Sequence, residues 1–497
     1  MKKNHIIAAV VLFMLPMIAG AQALKGSYFL DNSINRHKLN PAFAPRANYF
    51  QLVGIGNLGM GMYSNLDIPA FTYPVDGKLA TFLHPSVSVE QFEKDFPNHP
   101  HFDMDVETNI LSFGWFNKNK AFWNFSLDVR AMMDVDLPRD LFVMFKKGVG
   151  TDGRQFNIGN VNAYMTAGLQ ASLGYSREFM KGLRAGFKVR AIAPVAYAGL
   201  NLEKVALSTS TQSWKLNTEG YIYTALPGLT VDIPDGGSPK ADFDSDQLAA
   251  NKFLAGFGYS FDLGVEYRLE IGSIFDGLAV SAAVTDLGQI FYKNDCVSAL
   301  KTSGEAQWSG FQNMTLESEV AFEESVEELM SELGELANIS EMSHPHTFTR
   351  STMPRFYAGV EMPFLKRSMS VGLLYSSRLS HSYARHELTA SYNLKPCKWF
   401  ALGLNYSFLN TTKSMGAMLE LTPKAGPSLY LGVDYFPMEY APAPLAEELL
   451  GDGAASMFKS MGFSTVLLPT STRLNFCFGI AMNLGSKYVN PKKNKNK

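Results

Sequence analysis

FGYSFDLGVEYRL, residues 257–269, alternates without a break. Phe257, Tyr259, Phe261, Leu263, Val265, Tyr267 and Leu269 fall on one face of an extended chain, and Gly258, Ser260, Asp262, Gly264, Glu266 and Arg268 fall on the other. The run is longer than the roughly five or six residues of an ordinary strand and matches the roughly 9–11 that a tilted strand needs to cross a bilayer. Its polar face carries Gly and Ser beside charge, which suits a crowded interior better than a solvated exterior.

The pattern recurs. RLNFCFGIAMNLG (473–485) alternates in the same way, and so do LRAGFKVRA, HELTASYNL, FALGLNYSFL, SLYLGVDYF and YMTAGLQASLGYS. Trp115, Tyr175, Trp399 and Phe436 stand near segment ends, where interfacial aromatic girdles lie. Strands immersed in lipid must pair every backbone group, so they close on themselves. The expected fold is therefore all-β: a transmembrane antiparallel β-barrel of about 14 strands, within a range of about 12–16, with an N-terminal plug-like segment and short helices in its loops.

Composition narrows the function. Lys and Arg total 44 against 46 Asp and Glu, a net charge of −2, so no basic field is available to hold nucleic acid. Charged residues make up 18% of a chain rich in Gly (41), Phe (36) and Tyr (21), a composition that favours strands over membrane helices. MKKNHIIAAVVLFMLPMIAGAQA reads as a secretory signal peptide cut after Ala23, with a basic start, an apolar core and an Ala-Gln-Ala site. No Cys follows it to carry a lipid, and Cys296, Cys397 and Cys477 are too sparse for a disulfide framework. The organisation expected is a signal peptide at 1–23, a luminal plug segment at 24–49, an outer-membrane barrel at 50–486 and a basic polar tail at 487–497.

Several segments interrupt the strands. PRDLFVMFKKG (138–148) predicts a short helix, residues 316–342 an acidic amphipathic helix, and residues 443–463 another loop helix. The segment KLNPAFAP (38–45) precedes the first strand, expected in FQLVGIGNLGMGM (50–62). Pro fixes φ and donates no hydrogen bond, while Asn bonds to nearby backbone, so the pair suits a compact non-strand segment. The alternative is a simple turn into the first strand with no plugging role.

This placement resembles the long-chain fatty acid transporter family of outer-membrane barrels, in which an Asn-Pro-Ala motif lies in a segment that plugs the lumen. The matching residues are Asn40, Pro41 and Ala42. The chain also resembles related barrels associated with type IX secretion, and a large family of exported barrels that begin LNPA and carry a late TDLG step, here Thr285, Asp286, Leu287 and Gly288. The Gly- and Ala-rich N-terminal helix typical of the transporter family is replaced by a short polar segment, LKGSYFLDNSINRHK. The resemblance implies a plug or gate role for Asn40, Pro41 and Ala42.

Inward positions carry both signs of charge: Asp128, Arg130, Lys188, Arg190, Asp262, Glu266 and Arg268. They either line a polar path or form ion-pair ladders that fill the barrel. His344, His346, His381 and His386 have no Cys or carboxylate cluster beside them, so no metal or other cofactor is expected. Ser380, Ser382, His381 and His386 lie close in sequence but lack the signature of a hydrolase, and GIGNLGMG is followed by no helix that would make it a nucleotide site. Pro194, within a strand, marks an edge or a bulge. The chain is thus expected to be a non-enzymatic channel or transporter for small molecules, hydrophobic ones included, in contact with outer-membrane lipid. The second reading is a scaffold or shuttle barrel for exported proteins, and a barrel hydrolase stands third.

Overall fold

The computed structural model describes residues 24–485 except 53–56, 76–77, 149–153, 211–212, 233–239, 244–252, 270–276, 294–295, 309–338, 342–347, 381–382, 409–412, 437–439, 445–464 and 470–472. The expected signal peptide, most of the acidic helix at 316–342, most of the loop helix at 443–463 and the basic tail lie outside the described residues, as do His344, His346, His381 and Ser382.

The strands, in chain order, begin with β1 (Asn48–Leu52), β2 (Leu58–Ser64), β3 (His101–Phe116), β4 (Phe122–Asp136), β5 (Val161–Met180) and β6 (Leu183–Thr209). They continue with β7 (Trp214–Ala225), β8 (Gly256–Arg268), β9 (Ala279–Tyr292), β10 (Val297–Trp308), β11 (Phe348–Ser351) and β12 (Arg355–Phe364). The last are β13 (Met369–Leu379), β14 (Ala384–Cys397), β15 (Phe400–Phe408), β16 (Lys413–Leu421), β17 (Gly426–Phe436) and β18 (Leu474–Gly485). β1 and β2 together form one stave, and both pair with β18 and with β3. With β7, β10 and β11 set aside, neighbouring staves pair antiparallel all the way round, and a closed 14-strand barrel results. Among the described residues no helix is long and apolar enough to cross a membrane.

Of the strand expected over 50–62, the described residues place 50–52 in β1 and 58–62 in β2. Asn57, just before β2, is buried, its Oδ1 accepting from Tyr430 Oη (2.7 Å) and Asn35 Nδ2 (3.3 Å), while its backbone carbonyl accepts from Asn109 N (3.2 Å).

Alternation sets what each face meets. On β8 the outward residues Phe257, Tyr259, Phe261, Leu263, Val265 and Tyr267 are 37–58% exposed, whereas Ser260 and Asp262 are buried. The same outward apolar band continues through Val360, Leu373, Leu431 and Met482. At the end that carries Asn48 and Gly485, Trp115, Trp123, Tyr175 and Phe187 stand side by side on β3, β4, β5 and β6. Their rings lie 6.3, 4.7 and 5.8 Å apart in succession, which is the girdle expected from the sequence. Turns at this end are short, among them residues 117–121, 181–182 and 398–399, while the far end carries the long connections 65–100, 137–160 and 293–354.

Two of those long connections build a small lobe. The helices α1 (Val89–Asp95) and α2 (Arg139–Lys147, within the segment expected to be helical) bring Phe92, Phe96 and Val143 together with Tyr73 and Phe142. Ser88 caps α1 by accepting from Gln91 N.

A charge placed on the outward face of β8 tests this reading of the apolar band. Leu263→Arg is expected to cost about 2–4 kcal/mol of barrel stability in lipid vesicles. Urea titration of the variant against the parent measures it, and a change below about 0.5 kcal/mol would contradict a lipid-facing band.

Candidate functional site

Residues 24–47 run inside the barrel as turns and two short 3-10 segments, Lys25–Ser27 and Asn35–Lys38, and nearly all of them are buried. This segment is polar yet buried, so each of its groups needs a partner. Lys25 N and Gly26 N donate to Asp434 (2.7 and 2.9 Å), and Lys25 Nζ binds Glu387 and Tyr435 Oη. Asp31 faces Arg36 (2.9 Å), Arg46 (3.4 Å), Arg268 (3.7 Å) and Lys395 (3.7 Å). Burial alone would raise its carboxyl, but Lys395, Arg268, Arg36 and Arg46 outweigh that and hold it well below the usual carboxylate range. Lys38 reaches Glu107 and Asp128, which keep it charged against the cost of burial.

The Asn-Pro-Ala step docks on the inner wall. Asn40 Oδ1 accepts from Ala42 N (2.9 Å) and closes a turn, while its Nδ2 donates to Val265 O (3.3 Å) and Ala282 O (3.4 Å). Gly264 of β8 and Gly186 of β6 are register partners, and together they leave a window free of side chains. A Cβ at Gly264 would stand 2.0 Å from Asn40 Oδ1, and one at Gly186 would stand 2.1 Å from Pro41 O. The wall is therefore shaped to Asn40, Pro41 and Ala42, and the same residues close the turn and bind the barrel.

Above the plug lies a charged layer. Arg130 clasps Asp105 through Nε (3.1 Å) and Nη2 (2.8 Å) and reaches Asp286 (3.1 Å), and Arg355 binds Asp105 as well. Arg190 binds Asp262 (2.7 Å) and Asp286. Asp103 takes Arg378 (2.5 Å) and Arg385 (2.9 Å). Asp286, of the TDLG step, adopts φ +58° in a bulge of β9 where Thr285 and Asp286 stand opposite Asp262, and its N–H donates to Asp262 Oδ1 (2.8 Å).

The seven charged residues singled out in the sequence all face the interior, where each has a partner. Asp128 meets Lys38 and Asn109, and Lys188 meets His37. Glu266 and Arg268 pair with each other (2.9 Å) beside Asp31. Sequence reading did not single out Asp103, Asp105, Arg355, Arg378, Arg385, Lys395, Glu387 and Asp434, which carry an equal share of the network. Their one signal is inward phase in segments such as FDMDVE (102–107) and ARHELT (384–389). Ser380 and His386 do not come together: Ser380 Oγ bonds Asp134 (2.5 Å), while His386 faces outward against Tyr375 Oη (2.8 Å). Among the described residues no group of three His, Cys, Asp or Glu side chains could hold a metal.

Pro194 sits where β6 changes both partner and phase. Below it, Leu183–Ile192 pair with β8; above it, Tyr197–Thr209 pair with β7. Against β5 the register skips Val195, with Ala167 opposite Ala196 and Gly168 opposite Pro194. Pro has no N–H to lose from a ladder, and its carbonyl accepts from Ala255 N (2.8 Å). Residues inside the barrel are even-numbered before the bulge (Lys188, Arg190, Ile192) and odd-numbered after it, so Tyr197, Gly199 and Asn201 turn into the mouth.

There they line a vestibule of about 640 Å³ together with Tyr164, Arg350 and Ser380. Next in the charged layer comes a cavity of about 30 Å³ lined by Lys38, Asp128 and Arg190, room for about one water. A chamber of about 460 Å³, lined by Asn32, Ile34, Arg46, Trp399 and Lys424, lies at the terminal end.

The chain is thus a 14-strand barrel whose interior is filled by its own N-terminal segment. Residues 41–434 match the model of a family of unknown function, DUF5723, and the chain belongs to that family. Comparison with curated proteins returned no match. Solved structures similar to it include the toluene transporter TodX of Pseudomonas putida, at 12% identity over 90% of this chain and 93% of that one, TM-score 0.36. The toluene transporter TbuX of Ralstonia pickettii is 9% identical over 91% and 94% of the two chains, TM-score 0.37. A Pseudomonas aeruginosa FadL homologue is 11% identical over 93% and 96%, TM-score 0.35.

His37 makes the plug sensitive to pH. Its Nε2 lies 2.8 Å from Tyr49 Oη, and its Nδ1 accepts from Lys188 Nζ (3.3 Å). Burial, then the charges of Lys188 and Lys38, hold the imidazole well below the usual histidine range. The docked form resists a proton that the undocked form takes up near pH ~6.5, so this contribution is complete above ~6.5 and is lost as pH falls below it. Maleimide labelling of Ser33→Cys in a cysteine-free background is expected to accelerate between pH ~6.5 and ~5, and His37→Gln is expected to flatten the profile.

Proposed function

We propose that this chain spans the outer membrane with its short turns and termini on the periplasmic side, and that it admits small molecules at the far-end vestibule. The observation that carries this reading is the sequence of two chambers along one barrel, about 640 Å³ and about 460 Å³, separated by a plug and a charged layer. The vestibule lies where β6 bulges at Pro194 and parts from β8, a weak point in the wall and a route for lateral passage. Passage between the chambers requires the segment around Asn40 to shift, exchanging its hydrogen bonds and ion pairs and parting apolar contacts such as Phe43 with Tyr357. Asn40, Pro41 and Ala42 then act as the gate, and Asp128, Lys188 and Arg268, the inward charges that touch the plug, hold it shut, while Arg130, Arg190, Asp262 and Glu266 pair within the wall.

The filled lumen favours a second reading. Residues 24–47 pack against the wall throughout, as a permanent stopper would, and a stoppered barrel serves as a scaffold for exported proteins. Mass spectrometry of what co-purifies with the mature barrel after gentle extraction from its own membrane separates the two. A stoichiometric small molecule is the expected result. A stoichiometric exported protein with no small molecule would overturn the transport reading in favour of the scaffold.

A further inference from the structure

The arginines of the charged layer are neutralised: Arg130, Arg190, Arg355, Arg378 and Arg385 each contact at least one Asp. Arg350 differs. It lies on β11 in the vestibule wall, its Nε donates to Tyr197 Oη (3.0 Å), and its guanidinium rests over the rings of Phe348 (4.8 Å) and Tyr197 (5.8 Å). Among the described residues no carboxylate pairs with it, and its two terminal nitrogens make no hydrogen bond. A guanidinium held by Nε and by two aromatic faces is fixed in orientation with its fork unoccupied, the arrangement that takes an oxyanion bidentately.

The surroundings restrict what carries that oxyanion. Tyr197, Tyr292 and Phe348 pack on one another at 5.0–5.5 Å, and Tyr197 and Tyr292 are only 4% and 2% exposed. Their apolar faces are covered by each other and by Arg350, and the rest of the apolar lining is Ala163, Leu200, Pro354 and Leu379. The larger part of the lining is polar, with Asn162, Asn201 and Ser380 among it. Asn201 Nδ2 donates to Asn162 Oδ1 (2.9 Å), and Asn201 Oδ1 has no partner among the described residues. The volume, about 640 Å³, far exceeds an inorganic oxyanion and suits a small organic molecule.

We infer that the vestibule binds a hydroxyl-rich organic acid, a sugar acid in chemical class, with its carboxylate on the Arg350 fork and its hydroxyls on the Asn162–Asn201 pair. The inference rests on the transport reading of the same cavity and replaces a hydrophobic substrate with a polar one.

Titration calorimetry on the intact barrel in detergent tests it with four probes: D-glucuronate, D-glucose, octanoate and inorganic phosphate. Glucuronate is expected to bind, with glucose at least ~10-fold weaker and Arg350→Gln weakening glucuronate at least ~10-fold. Arg350→Lys, which keeps the charge but loses the fork, is expected to fall between the two, and Asn201→Ala to weaken glucuronate with an unchanged melting temperature. Octanoate binding tighter than glucuronate, phosphate binding as tightly as glucuronate, or glucuronate indifferent to Arg350→Gln would each overturn the inference. Flux into proteoliposomes separates this from the reading beneath it. Octanoate crossing without glucuronate binding removes the substrate class and leaves transport standing, whereas glucuronate binding with no solute crossing leaves the site standing and removes transport.

Discussion

A strand edge in hydrocarbon leaves its N–H and C=O groups unpaired, and here the first stave meets the last, Phe50 opposite Met482 and Met60 opposite Phe476. Once closed, the wall has two different solvents. Its outer face carries the Phe, Leu and Tyr of every second position, and its inner face carries the Ser, Asn, Asp and Arg of the others. An interior so polar and so narrow cannot be left dry and unpaired, because a buried charge without a partner costs several kcal/mol. The N-terminal segment and the charged layer meet that requirement together: Lys25, Asp31, Lys38 and Asn40 supply from the plug what Glu387, Lys395, Glu107 and the backbone of β8 and β9 call for from the wall.

The same logic explains the glycines at the plug's seat. A large inward side chain at position 186 or 264 would occupy the space where Pro41 and Asn40 lie, so the wall is bare where the chain must come closest. The plug is held both by directional polar contacts and by apolar packing, in which its Tyr28, Phe29 and Phe43 meet Tyr357 of the wall and its Leu24 and Leu30 meet Met418 and Tyr430.

The fold was legible in the sequence because alternation is a local signal. Phe257 through Tyr267 face outward as their spacing requires, and the girdle of Trp115 and Tyr175 stands where the segment ends. The inward charges were legible for the same reason, one strand at a time. Their partners were not, since Arg378 and Asp103 are 275 residues apart and meet through barrel curvature and stagger, which no local pattern encodes. The phase change at Pro194 and Val195 shows the limit from the other side. Pro194 announced an irregularity, but only the pairing of β5 with β6 shows that the bulge turns Tyr197 and Asn201 inward. Arg350 gave no sequence signal at all, because what sets it apart from the other inward arginines is the absence of a nearby acid among the described residues.

Residues 24–47 dock in the lumen on the window at Gly186 and Gly264. Hydrogen–deuterium exchange of the lipid-embedded barrel, with Gly264→Val beside it, reads that docking amide by amide. Slow exchange is expected at Lys25, Gly26 and Ala42 in the parent, whose amides donate to Asp434 and Asn40, and rapid exchange across the segment in the variant while the barrel strands stay protected. Rapid exchange of those amides in the parent, or an unchanged profile in the variant, would contradict it.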